Sequence, residues 1–277
     1  MTTTHAKSML LGLHFLAFSL PTWSAEVENP EATSPESHAH FDRLVAADWK
    51  EVLNDPGTTD WRKLWFLDGE IASVTNTPQG MELRAGPEFR NDAHHMVLWT
   101  KEQFSGDLKI EYEYTRLDTE TRCVTILYVQ ATGSGTDPYA KDILDWAELR
   151  RVPSMKTYFN HMDTYHVSYA AYPNADDATE DYIRARRYMP EAKGLRGTDL
   201  APDYFRTGLF DTGVPHKITV IKSGQELFML VRNDEKQMLC HWKNEVFPPI
   251  LEGRIGLRHM YTRSARYRNF RISVPKK

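Results

Sequence analysis

Cysteine is scarce in this 277-residue chain: only Cys123 and Cys240 occur. No C-x-x-C pair and no Cys/His run with zinc-ligand spacing is present, so a transition-metal centre is not expected to organise the fold. Both cysteines lie in apolar, strand-like runs, which leaves a disulfide and two buried thiols as open alternatives. A basic excess is missing too. Lys and Arg number 34 against 38 Asp and Glu, a formal net charge of −4, which argues against nucleic acid as a partner. After Leu20 no apolar run reaches the length of a membrane span. There is no internal repeat, no heptad pattern and no G-x-S-x-G elbow.

The single long apolar run is Met9–Leu20, behind Lys7 and ahead of Pro21, Ser24 and Ala25. A basic n-region, a short apolar core and small residues at its end read as a secretory signal over residues 1–25. This places the protein outside the cytoplasm, secreted or periplasmic. Residues 26–42, rich in Pro, Ser and Glu, read as a flexible leader. One domain is expected over residues 43–277.

What the domain holds in quantity is short alternating strands. Leu108, Ile110, Tyr112 and Tyr114 alternate with Lys109, Glu111, Glu113 and Thr115, the period-2 pattern of a half-buried strand. Arg122–Gln130 is apolar on both sides and reads as a central strand, with Arg122, Tyr128 and Gln130 sharing one side. Pro78-Gln79-Gly80, Ser223-Gly224 and Asn233-Asp234 punctuate others as turns. Ala131–Asp163 breaks the rhythm, with a weak helical pattern from Tyr139 ending at Pro153, and reads as a long insertion over a sheet face or edge. Ten to twelve short strands with few helices give an all-β sandwich of two antiparallel sheets.

The hairpin Thr164–Tyr188 carries the densest chemistry. On its second strand Tyr182, Arg184, Arg186 and Tyr188 share a face; on its first, His166 and Ser168 share one. Guanidinium groups suit carboxylates and tyrosine rings suit sugar faces. The neutral alternative is a solvated outer face with stacked Arg and Tyr.

The runs HVSYAAY (166–172), DYIRARRYMP (181–190), HHMVLWTKEQFSGDLKIEYEYT (94–115) and EGRIGLRHMYTRSARYRNFRI (252–272) together resemble the YesU-like bacterial proteins of the concanavalin A-like lectin/glucanase superfamily. The resemblance runs from about Trp49 to Val274 and implies a jelly roll with a concave sugar-binding face, with no catalytic residue carried over. Calcium, common in that superfamily, is a structural candidate at the loop Asn174–Asp177; no other cofactor is expected.

Three chemistries are weighed on this frame. β-Elimination on a uronate needs a carboxylate neutraliser, a base and an acid. His166 as base, Tyr182 as acid, and Arg184 or Arg186 on the carboxylate supply them. Arg122, Tyr128, Gln130, Tyr188, Trp99, Arg258 and His259 are the candidate substrate-binding residues. The Gln-x-His strand of jelly-roll lyases is absent. A glycoside hydrolase needs two carboxylates, for which Glu111 and Glu113 stand on one strand face; the Glu-x-Asp-x-x-Glu strand of the superfamily's glucanases is absent. The third chemistry is binding alone, with Trp99, Tyr128, Tyr182 and Tyr188 stacking on sugars while Arg184 and Arg186 hold acidic groups. Elimination on an acidic polysaccharide ranks first.

Overall fold

The computed structural model describes Met1, residues 33–173 and residues 177–276. The strands in chain order are β1 (Trp49–Asp55), β2 (Trp65–Asp68), β3 (Ser73–Thr77), β4 (Gly80–Arg84), β5 (Met96–Thr100), β6 (Phe104–Ser105), β7 (Leu108–Arg116), β8 (Cys123–Gly133), β9 (Met162–Tyr172), β10 (Tyr182–Tyr188), β11 (Asp199–Phe205), β12 (Pro215–Ser223), β13 (Glu226–Arg232), β14 (Gln237–Lys243), β15 (Glu252–His259) and β16 (Ser264–Pro275). Two eight-stranded sheets form from them. The first runs β14-β13-β12-β7-β16-β4-β3, with β1 also on β16; the second runs β11-β10-β9-β8-β15-β5-β2, with β6 on β15. Every pairing is antiparallel. The all-β sandwich expected from the alternation is the fold.

The core lies between the sheets because one side of each strand is apolar. Ile110 of β7, Val220 of β12 and Ile272 of β16 face Leu127 of β8, Val167 of β9 and Leu257 of β15 across it, all fully buried. Tyrosines fill its centre: Tyr112, Tyr114, Tyr169 and Tyr267 pack ring on ring, and the Tyr169 and Tyr267 hydroxyls meet at 3.1 Å. Cys123 and Cys240 are both buried and not joined in a disulfide.

Residues 2–32, where the signal reading falls, lie outside the described residues. Part of the supposed flexible leader is a helix, α1 (Pro35–Val45). Its start has local causes: the Ser34 hydroxyl accepts from the Ser37 backbone N–H, and Pro35 fits the first helical turn. Its Phe41 packs against Phe228 on the outward side of the first sheet, a long-range partner that composition does not reveal. Strand β11 contains Pro202, tolerated because β11 is the edge of its sheet.

The insertion between β8 and β9 is in place over the second sheet. A 3₁₀ stretch (Ile143–Arg150) is followed by α2 (Met155–His161). The weak helical pattern up to Pro153 marks the first piece, whereas α2 begins beyond that proline.

Candidate functional site

Most side chains singled out from the sequence fall on one surface, the outward face of the second sheet. β9 and β10 pair with Arg186 opposite His166 and Arg184 opposite Ser168, and residues directly opposite point to the same side. Tyr128 of β8 also stands opposite His166. On the far side of β8, Gly256 of β15 lies between Tyr128 and Trp99. A Cβ at Gly256 would stand 2.5 Å from the indole. The glycine thus lets Trp99 lie over the central strand and stack on Tyr128 at 5.3 Å and 17°.

Three candidates fall elsewhere. Gln130 adopts φ 56° at a bulge between Val129 and Thr132, which breaks the alternation. Its Nε2 donates to the carbonyls of Phe104 and Gly106, so it braces a turn and does not face the sheet surface. His259 points between the sheets, with Nε2 2.9 Å from the Tyr267 hydroxyl. Burial, and then Arg263, lower its pKa to about 4. Arg122 precedes a second bulge at Cys123 (φ 64°) and stacks its guanidinium over Phe89 at 5.1 Å.

His166 sits at the middle of the face and is 4% exposed. Its Nδ1 is 2.5 Å from the Tyr188 hydroxyl and its Nε2 is 2.7 Å from the Ser168 hydroxyl. A neutral imidazole has one donor and one acceptor, so one hydroxyl gives and the other receives. Burial holds the ring's pKa well below the usual value, and Arg186, Arg258 and Arg184 add to the effect in that order. The imidazole is therefore neutral, and both nitrogens are engaged.

The face divides in two around His166. On the β10–β11 side it is open. Arg184 binds Asp203 through Nη2 (2.5 Å) and Nε (2.7 Å), and its guanidinium lies 4.9 Å over Tyr182 and 5.8 Å over Phe205. Arg186 meets Asp199 at 2.7 Å and the Leu195 carbonyl at 3.1 Å. The side chains of Arg184 and Arg186 are 25% and 16% exposed, and Phe205 is 42% exposed. Together they make a shelf of guanidinium and aromatic groups.

On the β15–β5–β2 side the insertion forms a roof. Oδ2 of the fully buried Asp68, on β2, accepts from Arg150 Nε at 2.6 Å, Trp99 Nε1 at 2.8 Å and the Tyr158 hydroxyl at 2.9 Å. Burial raises the Asp68 pKa, while the Arg150 charge and these hydrogen bonds oppose the rise. Arg254 of β15 grips Asp142 of the insertion at 2.9 and 2.7 Å. Tyr158 of α2 lies nearly parallel to Tyr128 (5.9 Å, 5°) and Trp99 (6.4 Å, 13°), with the Arg258 guanidinium 4.5 Å from its ring. Asp68, Arg150 and Tyr158 were not legible as site residues, because their meeting spans up to 90 positions of chain. A local signal was the Asp closing the apolar run WFLD.

Glu111 and Glu113, the hydrolase pair, lie on the outward face of the other sheet. Glu111 is 3.4 Å from Lys109, and Glu113 accepts from Asn269 at 2.9 Å. Of the loop considered for calcium, residues 174–176 lie outside the described residues.

Several solved structures share this architecture. A Bacillus subtilis protein of unknown function with a galectin-like fold superposes with TM-score 0.61 at 19% identity, covering 82% of this chain and 100% of that one. The legume lectin-like domain from Entamoeba histolytica superposes at 0.53 and 7% identity, covering 83% and 100%. The VIP36 exoplasmic/lumenal domain, in its Ca²⁺/Man3GlcNAc-bound form, superposes at 0.51 and 13% identity, covering 81% and 91%. At these identities the likeness is one of fold, and it agrees with the concanavalin A-like architecture. Among curated proteins none matches the chain. The model of one family, a domain of unknown function, matches residues 55–272, which is most of the sandwich, and the chain belongs to that family, DUF1961.

Proposed function

We propose that this protein is an extracellular or periplasmic carbohydrate-binding protein that takes an acidic saccharide on the outward face of its second sheet. The observation that carries the reading is the partly exposed pair Arg184 and Arg186, on one side of β10, each oriented by one carboxylate (Asp203 and Asp199) that takes only some of its five N–H donors, and flanked by the rings of Tyr182 and Phe205. Guanidinium groups form charge-assisted bonds to carboxylate or sulfate, and aromatic rings pack on pyranose faces. The fold is one on which VIP36 was crystallised with a mannose oligosaccharide, but the case here rests on this chain's own side chains.

β-Elimination is the second reading, favoured by the neutral His166 bonded to Tyr188 beside three arginines. In that reaction a base removes the C5 proton, the C4–O4 bond breaks, a C4=C5 double bond forms and an acid protonates O4. Both His166 nitrogens are engaged by hydroxyls, which leaves none directed at a substrate and places binding first.

Titration of oligouronates and their carboxyl-reduced counterparts, with ultraviolet detection of unsaturated uronide, separates the readings. Binding without new absorbance is expected, with the reduced sugars weaker by about tenfold or more, the worth of one charge-assisted hydrogen bond. Absorbance that grows with time would establish elimination. Equal affinity for both sugars would remove the acidic preference.

A further inference from the structure

One charge on the roofed half of the face has no counter-ion among the described residues. Arg258 is completely buried. Its Nη2 is 2.6 Å from the Pro153 carbonyl and 2.8 Å from His95 Nδ1, both neutral acceptors. Burial, followed by the Arg258 charge, lowers the His95 pKa to about 3, so that ring is neutral and can offer Nδ1 as an acceptor. The N–H groups on Nε and Nη1 make no hydrogen bond of normal geometry among the described residues; the buried Tyr128 hydroxyl lies close to Arg258 and to Tyr188, and it too is neutral. Among the described residues no carboxylate forms an ion pair with Arg258. The neighbouring Arg150 shows the ordinary solution, a buried guanidinium set directly on Asp68. Burying a guanidinium without an anion is strongly unfavourable, and native proteins keep such a group where an anion completes it.

The group lying over Arg258 is the Tyr158 ring, which is also parallel to Tyr128 and Trp99. A flat six-membered ring on two aromatic faces and beside a cation has the placement that a bound uronate ring would take. We propose that Arg258 is an anion subsite and that Tyr158 is its place-holder. An acidic sugar displaces the Tyr158 ring, stacks on Trp99 and Tyr128, and sets its carboxylate against Nε and Nη1 of Arg258. The subsite deepens the acidic-saccharide reading and rests on it.

Two substitutions test this with opposite signs. Arg258→Met keeps the volume and removes the charge; affinity for the oligouronate is expected to fall about tenfold to a hundredfold. The melting temperature of the unliganded protein is expected to hold or rise, since the buried charge lacks compensation. Tyr158→Ala removes the competing ring and is expected to tighten binding. Unchanged affinity in Arg258→Met together with wild-type binding of the oligouronate would overturn the subsite and leave the acidic-saccharide reading standing. A fall in melting temperature in Arg258→Met would also count against it, as the mark of a structural arginine. Weaker binding by Tyr158→Ala would overturn the place-holder role. Failure of the wild type to bind any acidic saccharide would overturn the functional reading and the subsite with it.

Discussion

The outward faces of the two sheets carry similar residue types to different ends. On the first, charges cancel locally. Along β7, Glu111 and Glu113 stand opposite Thr219 and Lys217 on one neighbouring strand and Arg271 and Arg268 on the other, and both are partly exposed. On the second, Arg184 and Arg186 are paired with Asp203 and Asp199 but lie beside aromatic rings around a neutral histidine, and Arg258, under the insertion, has no carboxylate partner among the described residues. Screened, paired charges of the first kind add little to stability and serve solubility. Guanidinium groups among aromatic rings and under a roof are costly for folding, and sites of recognition are where proteins retain such features.

The roof offers the largest way to sharpen this contrast. Asp68→Ala leaves Arg150 buried without its anion and is expected to cost about 3–5 kcal/mol in chemical denaturation, whereas Glu111→Gln is expected to stay within about 0.5 kcal/mol. Equal losses at the two positions would erase the distinction drawn between the faces.

A smaller effect concerns acid. His95 and His259 have pKa values lowered to about 3 and about 4, first by burial and then by neighbouring arginines, and His166 is lowered well below its usual value for the same reasons. Each stays neutral when folded, while the unfolded chain takes up a proton near pH 6.5. Stability is therefore complete above that pH and is lost as pH falls from there towards the folded values. The slope is about 1.4 kcal/mol per pH unit for each histidine. Urea midpoints at pH 7 and pH 5 measure it, and His166→Gln is expected to flatten the slope by one histidine's share. An unchanged slope in that variant would show that His166 protonates in the folded state.

How much of this was legible in the sequence depends on the range of the forces involved. Alternation is local, so β7, β9 and β10 could be read directly, and with them the shared face of Tyr182, Arg184, Arg186 and Tyr188. Bulges are not local: the left-handed turns at Cys123 and Gln130 answer to the neighbouring strands, and the second sent Gln130 away from the face that simple counting assigns it. His259 was misplaced because register alone decides which side of β15 is inward. The roof was visible as an interruption, but its lock was not, since Asp68 and Arg150 are far apart in the chain. The helix α1 had a readable start in Ser34-Pro35 that the acidic, proline-containing composition obscured.

The central claim is that ligand recognition belongs to the second sheet's outward face. Its most direct test is the affinity of two double variants for one acidic oligosaccharide, measured side by side with the wild type. Arg184→Gln/Arg186→Gln is expected to lose about tenfold or more, while Glu111→Gln/Glu113→Gln binds as the wild type does. Full affinity in the first with loss in the second would contradict the account.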